Sequence, residues 1–280
     1  MRSTIASLNR TRGQHPGLLL QRYAAKELFL DQDSPQERSE LLEVAIRAAQ
    51  DRELTQLYQA AYQRWKQQLP PSACTRKLQT VGRLIVGLGR ENVLETGLTL
   101  HHVYGMPVIP GSSLKGVAAH YCHAVWGPQA PKFRRPTKDE DKQYREYLEG
   151  KREDCPENYY RLLFGNTDDS GCIVFHDAWY VPDSDPQPLR LDVMTPHHSD
   201  YNRDPKDPKF RPPTDFDSPT PVSFLSVQGA FLVAVSWRGP NVTQAHEWTN
   251  CALELLCNAL KYWGVGGKTS SGYGRLVPRE

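Results

Sequence analysis

A chain of 280 residues, 39% of them hydrophobic, can bury a full core, which excludes disorder of the whole chain and allows one large domain or two small ones. With 34 basic against 32 acidic residues and a net charge of +2, there is no global field to attract a polyanion, so a nucleic-acid footprint must be a local cluster. The six cysteines form no Cys-x-x-Cys pair, and no signal-peptide pattern or long apolar segment stands out. Together these point to reduced thiols in a cytoplasmic protein with no membrane span.

In chain order, Pro16 to Tyr23 reads as the opening of a short helix. Ser34-Pro35-Gln36-Glu37 then has the form of a capping box, with serine as N-cap, proline at the first helical position and glutamate three residues after the cap. The helical pattern runs to Leu69, with Leu54, Tyr58, Ala61 and Trp65 on one stripe and a break near Asp51, and Pro70-Pro71 ends it. Residues 76–88 change period: Leu78, Thr80, Leu84, Val86 and Leu88 share a parity, as in a half-buried strand. After a loop carrying His101 and His102, Ser112 is placed to cap a helix whose inward stripe is Leu114, Val117, Ala118, Tyr121 and Val125. Free N–H groups at Ser113, Leu114 and Lys115, with the Lys115 charge, would make that helix start a phosphate site. Gly116 weakens the helix, so the pattern predicts a close neighbour there: a ligand, or the sheet behind.

Residues 127–160 are polar and proline-broken, with Lys132, Arg134, Arg135 and Lys138 close together; they read as a surface insertion with a short helix around Tyr144 to Leu148. Strand character returns at Cys172 to Val181 and again from Leu189 to Thr195. Between Pro196 and Pro221 apolar periodicity disappears, as in a long projecting loop. Leu225, Val227, Phe231, Val233, Val235 and Trp237 share a parity broken at Gly229, and Trp248, Ala252, Leu255, Ala259 and Trp263 form a final helical stripe. Without the insertions the order is strand, helix, strand, strand, helix, loop, strand. This is an α+β, ferredoxin-like (RRM-type) order, whose sheet commonly offers one face to single-stranded RNA. The division predicted is a helical segment over 1–75 packed on a core over 76–280, with insertions at about 127–160 and 196–221.

The loop after the last helix, Trp263 to Arg275, holds five glycines, two cations (Lys268, Arg275), three hydroxyls (Thr269, Ser270, Ser271) and Tyr273. Glycine lets backbone come close to a ligand, and successive N–H groups form a concavity suited to phosphate. The Gly267-Lys268-Thr269 end of a P-loop is present, but Tyr262 stands where that motif needs glycine, and helix-loop-strand is the reverse of its order. Tyr273, between glycines and near both cations, reads as a base-stacking side chain. His120, Cys122 and His123 are too few for a zinc site from one helix, and no cofactor motif is present.

Two stretches, Glu95-Thr96-Gly97 through Gly105-Met106-Pro107-Val108-Ile109-Pro110-Gly111-Ser112-Ser113-Leu114-Lys115-Gly116, and Gly264-Val265-Gly266-Gly267-Lys268-Thr269-Ser270-Ser271-Gly272-Tyr273-Gly274-Arg275, resemble motifs of the RAMP superfamily of CRISPR-associated proteins. The resemblance spans roughly residues 76–280 and extends to Pro16-Gly17-Leu18-Leu19-Leu20-Gln21-Arg22-Tyr23. It implies a non-catalytic, RNA-binding backbone role in a type III-B (Cmr) effector complex of antiviral defence. Such a subunit caps the stack of related subunits near the 3′ end of the guide RNA (crRNA), holding guide and complementary target RNA beside neighbouring RAMP subunits. The implied RNA contacts are Ser112, Ser113, Lys115, Gly266, Gly267, Lys268, Thr269, Ser270, Ser271, Tyr273 and Arg275, with His101, His102 and Arg203 beside them. Residues 196–221 would be a hairpin thumb inserted between bases. The target-cleaving subunit of the superfamily uses an aspartate in a loop after its first strand, which neither Glu91 nor Glu95 reproduces.

Two other functions compete. A metal-independent endoribonuclease would use His101 and His102 as acid and base, with Lys115 or Lys268 on the phosphorane; neighbours on an extended segment, however, point to opposite faces. A protein-only docking module would use the 34–69 helix and need no RNA.

Overall fold

A computed structural model describes residues 15–21, 35–90, 94, 96–196, 198, 200–201, 204–217, 219 and 221–279. Three helices lead the described chain. In α1 (Pro16–Gln21), Leu19 and Leu20 are buried. After α2 (Pro35–Ala48) the predicted break falls at Asp51, whose carboxylate accepts from the N–H groups of Glu53 (3.0 Å) and Leu54 (3.1 Å) and so starts α3 (Arg52–Gln67). Ser34, the expected cap of α2, lies outside the described residues. In α3, Tyr58, Ala61 and Tyr62 are buried, and the Tyr58 hydroxyl donates to the Tyr180 carbonyl at 2.7 Å.

The core follows as β1 (Cys74–Thr80), β2 (Val108–Ile109), α4 (Gly111–Tyr121), α5 (Lys138–Leu148), α6 (Tyr159–Phe164), β3 (Ile173–Phe175), β4 (Ala178–Tyr180), β5 (Leu189–Met194), β6 (Val222–Val227), β7 (Ala230–Trp237), α7 (Ala245–Tyr262) and β8 (Leu276–Pro278). The main sheet runs β2-β4-β7-β1-β8, with β3 also paired to β7, and every pair is antiparallel. Taking β3 and β4 as one interrupted strand, the order β8-β1-β7-β4 with α4 and α7 as crossovers is the ferredoxin-like arrangement. In α7 the stripe Ala252, Leu255, Leu256, Ala259 and Leu260 is buried, and the helix packs against α4, β1, β7 and β8.

Four details differ from the sequence reading, each for a local reason. The strand expected over 76–88 ends at Thr80: Gly82 (φ +78°) turns the chain, and beyond it Leu84 makes a single bridge to Val227. Leu84, Ile85 and Val86 are all buried, so the alternation read as one strand reflects burial on both sides. The apolar run broken at Gly229 is two strands in two sheets. β6 pairs with β5, Leu189 facing Val227 through Met194 facing Val222, whereas β7 lies at the centre of the main sheet. At Gly229 φ is +138° and a Cβ would stand 2.3 Å from the Tyr180 hydroxyl, so only glycine permits the step between sheets. Third, the open RRM face is closed at its middle: Ala230 to Ser236 are buried at both parities, so the central strand cannot present aromatic rings to bases. Fourth, the short helix expected around Tyr144 is the longer α5, started by a capping box between Thr137 and Glu140.

The segment 195–221 joins β5 to β6 and is therefore the end of an antiparallel hairpin. Arg38 of α2 holds the hairpin to the core, donating to the Ser223 carbonyl (3.2 Å), the Thr96 hydroxyl (2.9 Å) and the Leu94 carbonyl. The six cysteines are free, and among the described residues no helix is long and apolar enough to cross a membrane.

Candidate nucleic-acid interface

The glycines of the last loop do not all serve a ligand. A Cβ on Gly266 (φ +93°) would lie 2.0 Å from the Ile85 carbonyl oxygen, and one on Gly274 (φ +79°) 2.1 Å from that of Val265. The loop is docked on residues 83–86: the Gly267 N–H donates to the Ile85 carbonyl and the Gly274 N–H to that of Arg83, both at 2.8 Å. The close approach predicted from glycine content is largely an approach to the chain itself.

What remains free is more local. Lys268 is left-handed (φ 58°, ψ 31°) and is followed by the right-handed 3-10 turn Thr269–Ser271. A left-handed residue followed by a right-handed one turns three successive N–H groups to one side, a nest that binds anions. The N–H groups of Lys268, Thr269 and Ser270 have no acceptor among the described residues, whereas those of Ser271 and Tyr273 donate to the Lys268 carbonyl and hold the turn. Ser270 and Ser271 are exposed, Thr269 half-buried and Arg275 exposed. The Lys268 ammonium lies 5.9 Å above the Phe224 ring of the hairpin, near the limit for a cation–π contact.

The start of α4 is less open than the sequence predicts. The helix begins at Gly111, not after Ser112, because the Asp177 carboxylate accepts the Gly111 N–H at 2.7 Å; Pro110 occupies the cap position and Ser112 lies in the first turn. Ser113 and Leu114 donate their N–H groups to the Pro110 carbonyl (2.9 and 3.1 Å). They are not free, and a carboxylate already takes the dipole's end. Gly116 is exposed, and a Cβ there would meet nothing within 4 Å among the described residues, so the close neighbour it suggested is absent among them. Ser112, Gly116 and His120 are exposed at a spacing of four, on one helical face. That face ends on Trp263, whose ring centroid is 4.9 Å from His120 and 5.1 Å from Tyr121. The helix that carries the end of the first motif therefore meets the residue just before the second, with Trp263 at the seam.

Lys115, Lys268 and Arg275 make no ion pair among the described residues. In the 127–160 insertion, by contrast, Lys132 pairs with Glu157, Arg134 with Glu140 (3.4 Å) and Arg145 with Asp168 (2.8 Å). Those cations are committed to carboxylates of the chain, Asp168 lying just beyond the insertion, and the three motif cations have no such partner among the described residues.

His101 and His102 lie elsewhere. The His101 ring is 4.6 Å from Trp179 and 4.8 Å from Tyr104, and its Nδ1 accepts the Val103 N–H (3.2 Å). Burial pushes its pKa down, and that of His15 as well. His102 is exposed. His120 leans on Trp263 and His123 accepts the Arg135 N–H (3.1 Å), and the described residues hold no group of three metal-ligating side chains. Arg203, Glu91 and Glu95 lie outside the described residues.

The sequence reading missed the residues under the loop. Asp192 of β5 accepts from the Ser226 hydroxyl (2.6 Å) and the Tyr273 hydroxyl (3.2 Å), and Arg83 is 3.8 Å away. Its position opposite in parity to Leu189, Leu191 and Val193 marks it as off the apolar face, but nothing local names its partners. Burial and the neighbouring Asp192 charge raise the Tyr273 pKa.

A family model, the RAMP superfamily, matches residues 77–277. The CRISPR system Cmr subunit Cmr6 of Pyrococcus furiosus is 34% identical over 257 residues, covering 79% of this chain and 73% of that protein. A chain in the cryo-EM structure of the type III-B Cmr-beta bound to cognate target RNA matches 99% of this chain and 85% of its own, with a TM-score of 0.60 at 17% identity, a likeness of fold. The crystal structure of Cmr6 from Pyrococcus furiosus aligns with 74% of this chain and 98% of its own at 33% identity and a TM-score of 0.42. The chain belongs to the RAMP superfamily, as a Cmr6-like member.

Proposed function

We propose that the protein is a non-catalytic, RNA-binding structural subunit of a type III-B CRISPR effector complex, capping the backbone of related subunits near the 3′ end of the guide RNA and helping to hold guide and target. The observation that carries the RNA contact is the nest at Lys268, Thr269 and Ser270, where, among the described residues, three N–H groups have no acceptor and the lysine has no ion pair. With the hydroxyls of Ser270 and Ser271 and the exposed α4 face beyond Trp263, it offers a track for successive phosphates. Its partners would then be crRNA, complementary target RNA and neighbouring RAMP subunits; the Cmr-beta structure whose fold it shares is bound to cognate target RNA.

A backbone role is favoured over ribonuclease chemistry by the histidines. His101 is lodged against Trp179 and Tyr104, and His102 is exposed, so the pair does not converge on one phosphate. The test is ultraviolet crosslinking of the assembled complex followed by peptide mapping. Crosslinked peptides covering 264–275 and 112–120 are expected. RNA crosslinked to this subunit only outside both stretches would refute the proposed site.

A further inference from the structure

The loop that carries the nest and the hairpin that carries 195–221 are joined through one small polar cluster. Tyr273 enters it from the loop. Its N–H donates to the Lys268 carbonyl (3.2 Å), on the residue whose left-handed backbone forms the nest, and its hydroxyl donates to Asp192 Oδ2 (3.2 Å) on β5. The same carboxylate oxygen accepts from Ser226 Oγ on β6, and Ser226 is fully buried. Arg83 spans the same gap: its carbonyl accepts the Gly274 N–H, and its guanidinium donates to Ser226 Oγ at 3.2 Å. Hairpin and loop also meet through rings, with Phe224 6.4 Å from Tyr273 and the Lys268 ammonium 5.9 Å above Phe224.

We infer that Tyr273 is a positioning residue, a latch that couples anion binding at the nest to the pose of the β5–β6 hairpin. This rests on the RNA-binding reading of the loop. A residue whose side-chain hydroxyl is fixed on Asp192 and whose backbone N–H is fixed on Lys268 transmits displacement from one to the other, because neither end moves without breaking a hydrogen bond or dragging the partner. A phosphate on the nest fixes Lys268, and Lys268 through Tyr273 fixes Asp192. Restricting the loop then lowers the ordering cost of the hairpin, which is positive coupling between the nest and the hairpin. Tyr273 is committed to holding the interface rather than to stacking on a base.

The test is hydrogen exchange by mass spectrometry on the full chain, with and without a single-stranded RNA, in wild type and Tyr273→Phe. The substitution keeps the ring and the N–H and removes only the hydroxyl, so folding is retained. In wild type, RNA slows exchange in peptides from 264–275 and also in those from 189–194 and 222–227. In Tyr273→Phe the loop keeps its RNA-dependent slowing, the hairpin loses it, and affinity falls by about tenfold or more, the worth of one charge-assisted hydrogen bond. Asp192→Ala gives the same pattern, and the double variant adds nothing further. Unchanged RNA-dependent slowing of the hairpin in Tyr273→Phe overturns the latch while leaving the RNA site intact. No slowing of the loop in wild type removes the RNA reading and the latch with it. Full affinity and coupling in Tyr273→Phe, with a large loss in Tyr273→Ala, also overturns the latch and identifies the ring as a base-stacking platform.

Discussion

Replacing Gly266 by alanine tests whether the glycine loop is built to dock on its own chain. The added Cβ would lie 2.0 Å from the Ile85 carbonyl oxygen and 2.9 Å from its carbon, both backbone atoms that cannot swing aside. Relief takes a shift on the order of 1 Å, enough to break the Gly267 N–H bond to the same carbonyl, 2.8 Å long in the native chain. Ile85 is fully buried, so its unsatisfied carbonyl costs about 1–3 kcal/mol. Holding alanine at φ +93° costs about 1–2 kcal/mol more. Gly272 supplies the control: its φ is +89°, but a Cβ there meets nothing within 4 Å among the described residues, so only the backbone term of about 1–2 kcal/mol applies. Urea denaturation of both variants should place Gly266→Ala about 1–3 kcal/mol below Gly272→Ala. If the loop undocks before the domain unfolds, the difference shows as faster exchange of the Gly267 amide in Gly266→Ala alone. Equal stability and equal exchange in the two variants would refute the docking argument.

Tyr58→Phe removes a hydroxyl that donates at 2.7 Å to the Tyr180 carbonyl from a side chain 2% exposed, so the urea midpoint should fall by an amount worth about 1–3 kcal/mol; an unchanged midpoint would mean that α3 is not tied to β4 through this bond. Burial holds the pKa values of His15 and His101 below the ordinary 6.5, so the unfolded chain binds more protons as pH falls through that value. Stability is therefore full above 6.5 and declines below it until the folded-state values are passed. A His15→Gln, His101→Asn double variant should flatten that decline in urea titrations, and an equally steep decline in the variant would point to other groups.

The helices and the order of the core were readable because their signals are local: the 3.6-residue stripe of α7, the Asp51 break and the double proline each state a backbone preference within a few residues. The errors came where a long-range partner decides. Ser112 has the composition of an N-cap, yet the acceptor for the first N–H comes from Asp177, 66 residues on. Gly229 was legible as a bend, but that the strands on its two sides belong to different sheets depends on Tyr180 and β5. Within the candidate site, the glycine content suggested backbone opened for a ligand, whereas Gly266 and Gly274 serve the approach of Ile85 and Val265. The left-handed Lys268 that makes the nest could not be found by composition, because composition assigns such backbone to glycine.

That exception makes Lys268 the sharpest test of function against stability. Asp183 and Lys268 are the non-glycine residues with positive φ among those described, and Lys268 stands in a loop where glycine is used freely at 266, 267, 272 and 274. A lysine in this conformation costs about 1–2 kcal/mol relative to a relaxed backbone, whereas glycine adopts it without that strain but loses about 0.5–1 kcal/mol more chain entropy on folding. Lys268→Gly should therefore leave stability unchanged or raise it by about 1 kcal/mol, with the nest backbone kept. The charge is lost, and RNA binding should weaken with the salt slope reduced by about 0.7, the value for one cation on a single strand. Lys268→Ala loses the same charge but keeps the strain, so it should match Lys268→Gly in RNA affinity and fall below it in stability. Fluorescence anisotropy across a salt series and urea denaturation separate the two terms. If Lys268→Gly binds RNA as tightly as wild type, with the same slope, the side chain is not on the phosphate and the nest acts through its N–H groups alone. If Lys268→Gly is instead less stable than Lys268→Ala, the left-handed backbone at this position is not strained, and the argument that lysine is held there at a cost to the fold fails.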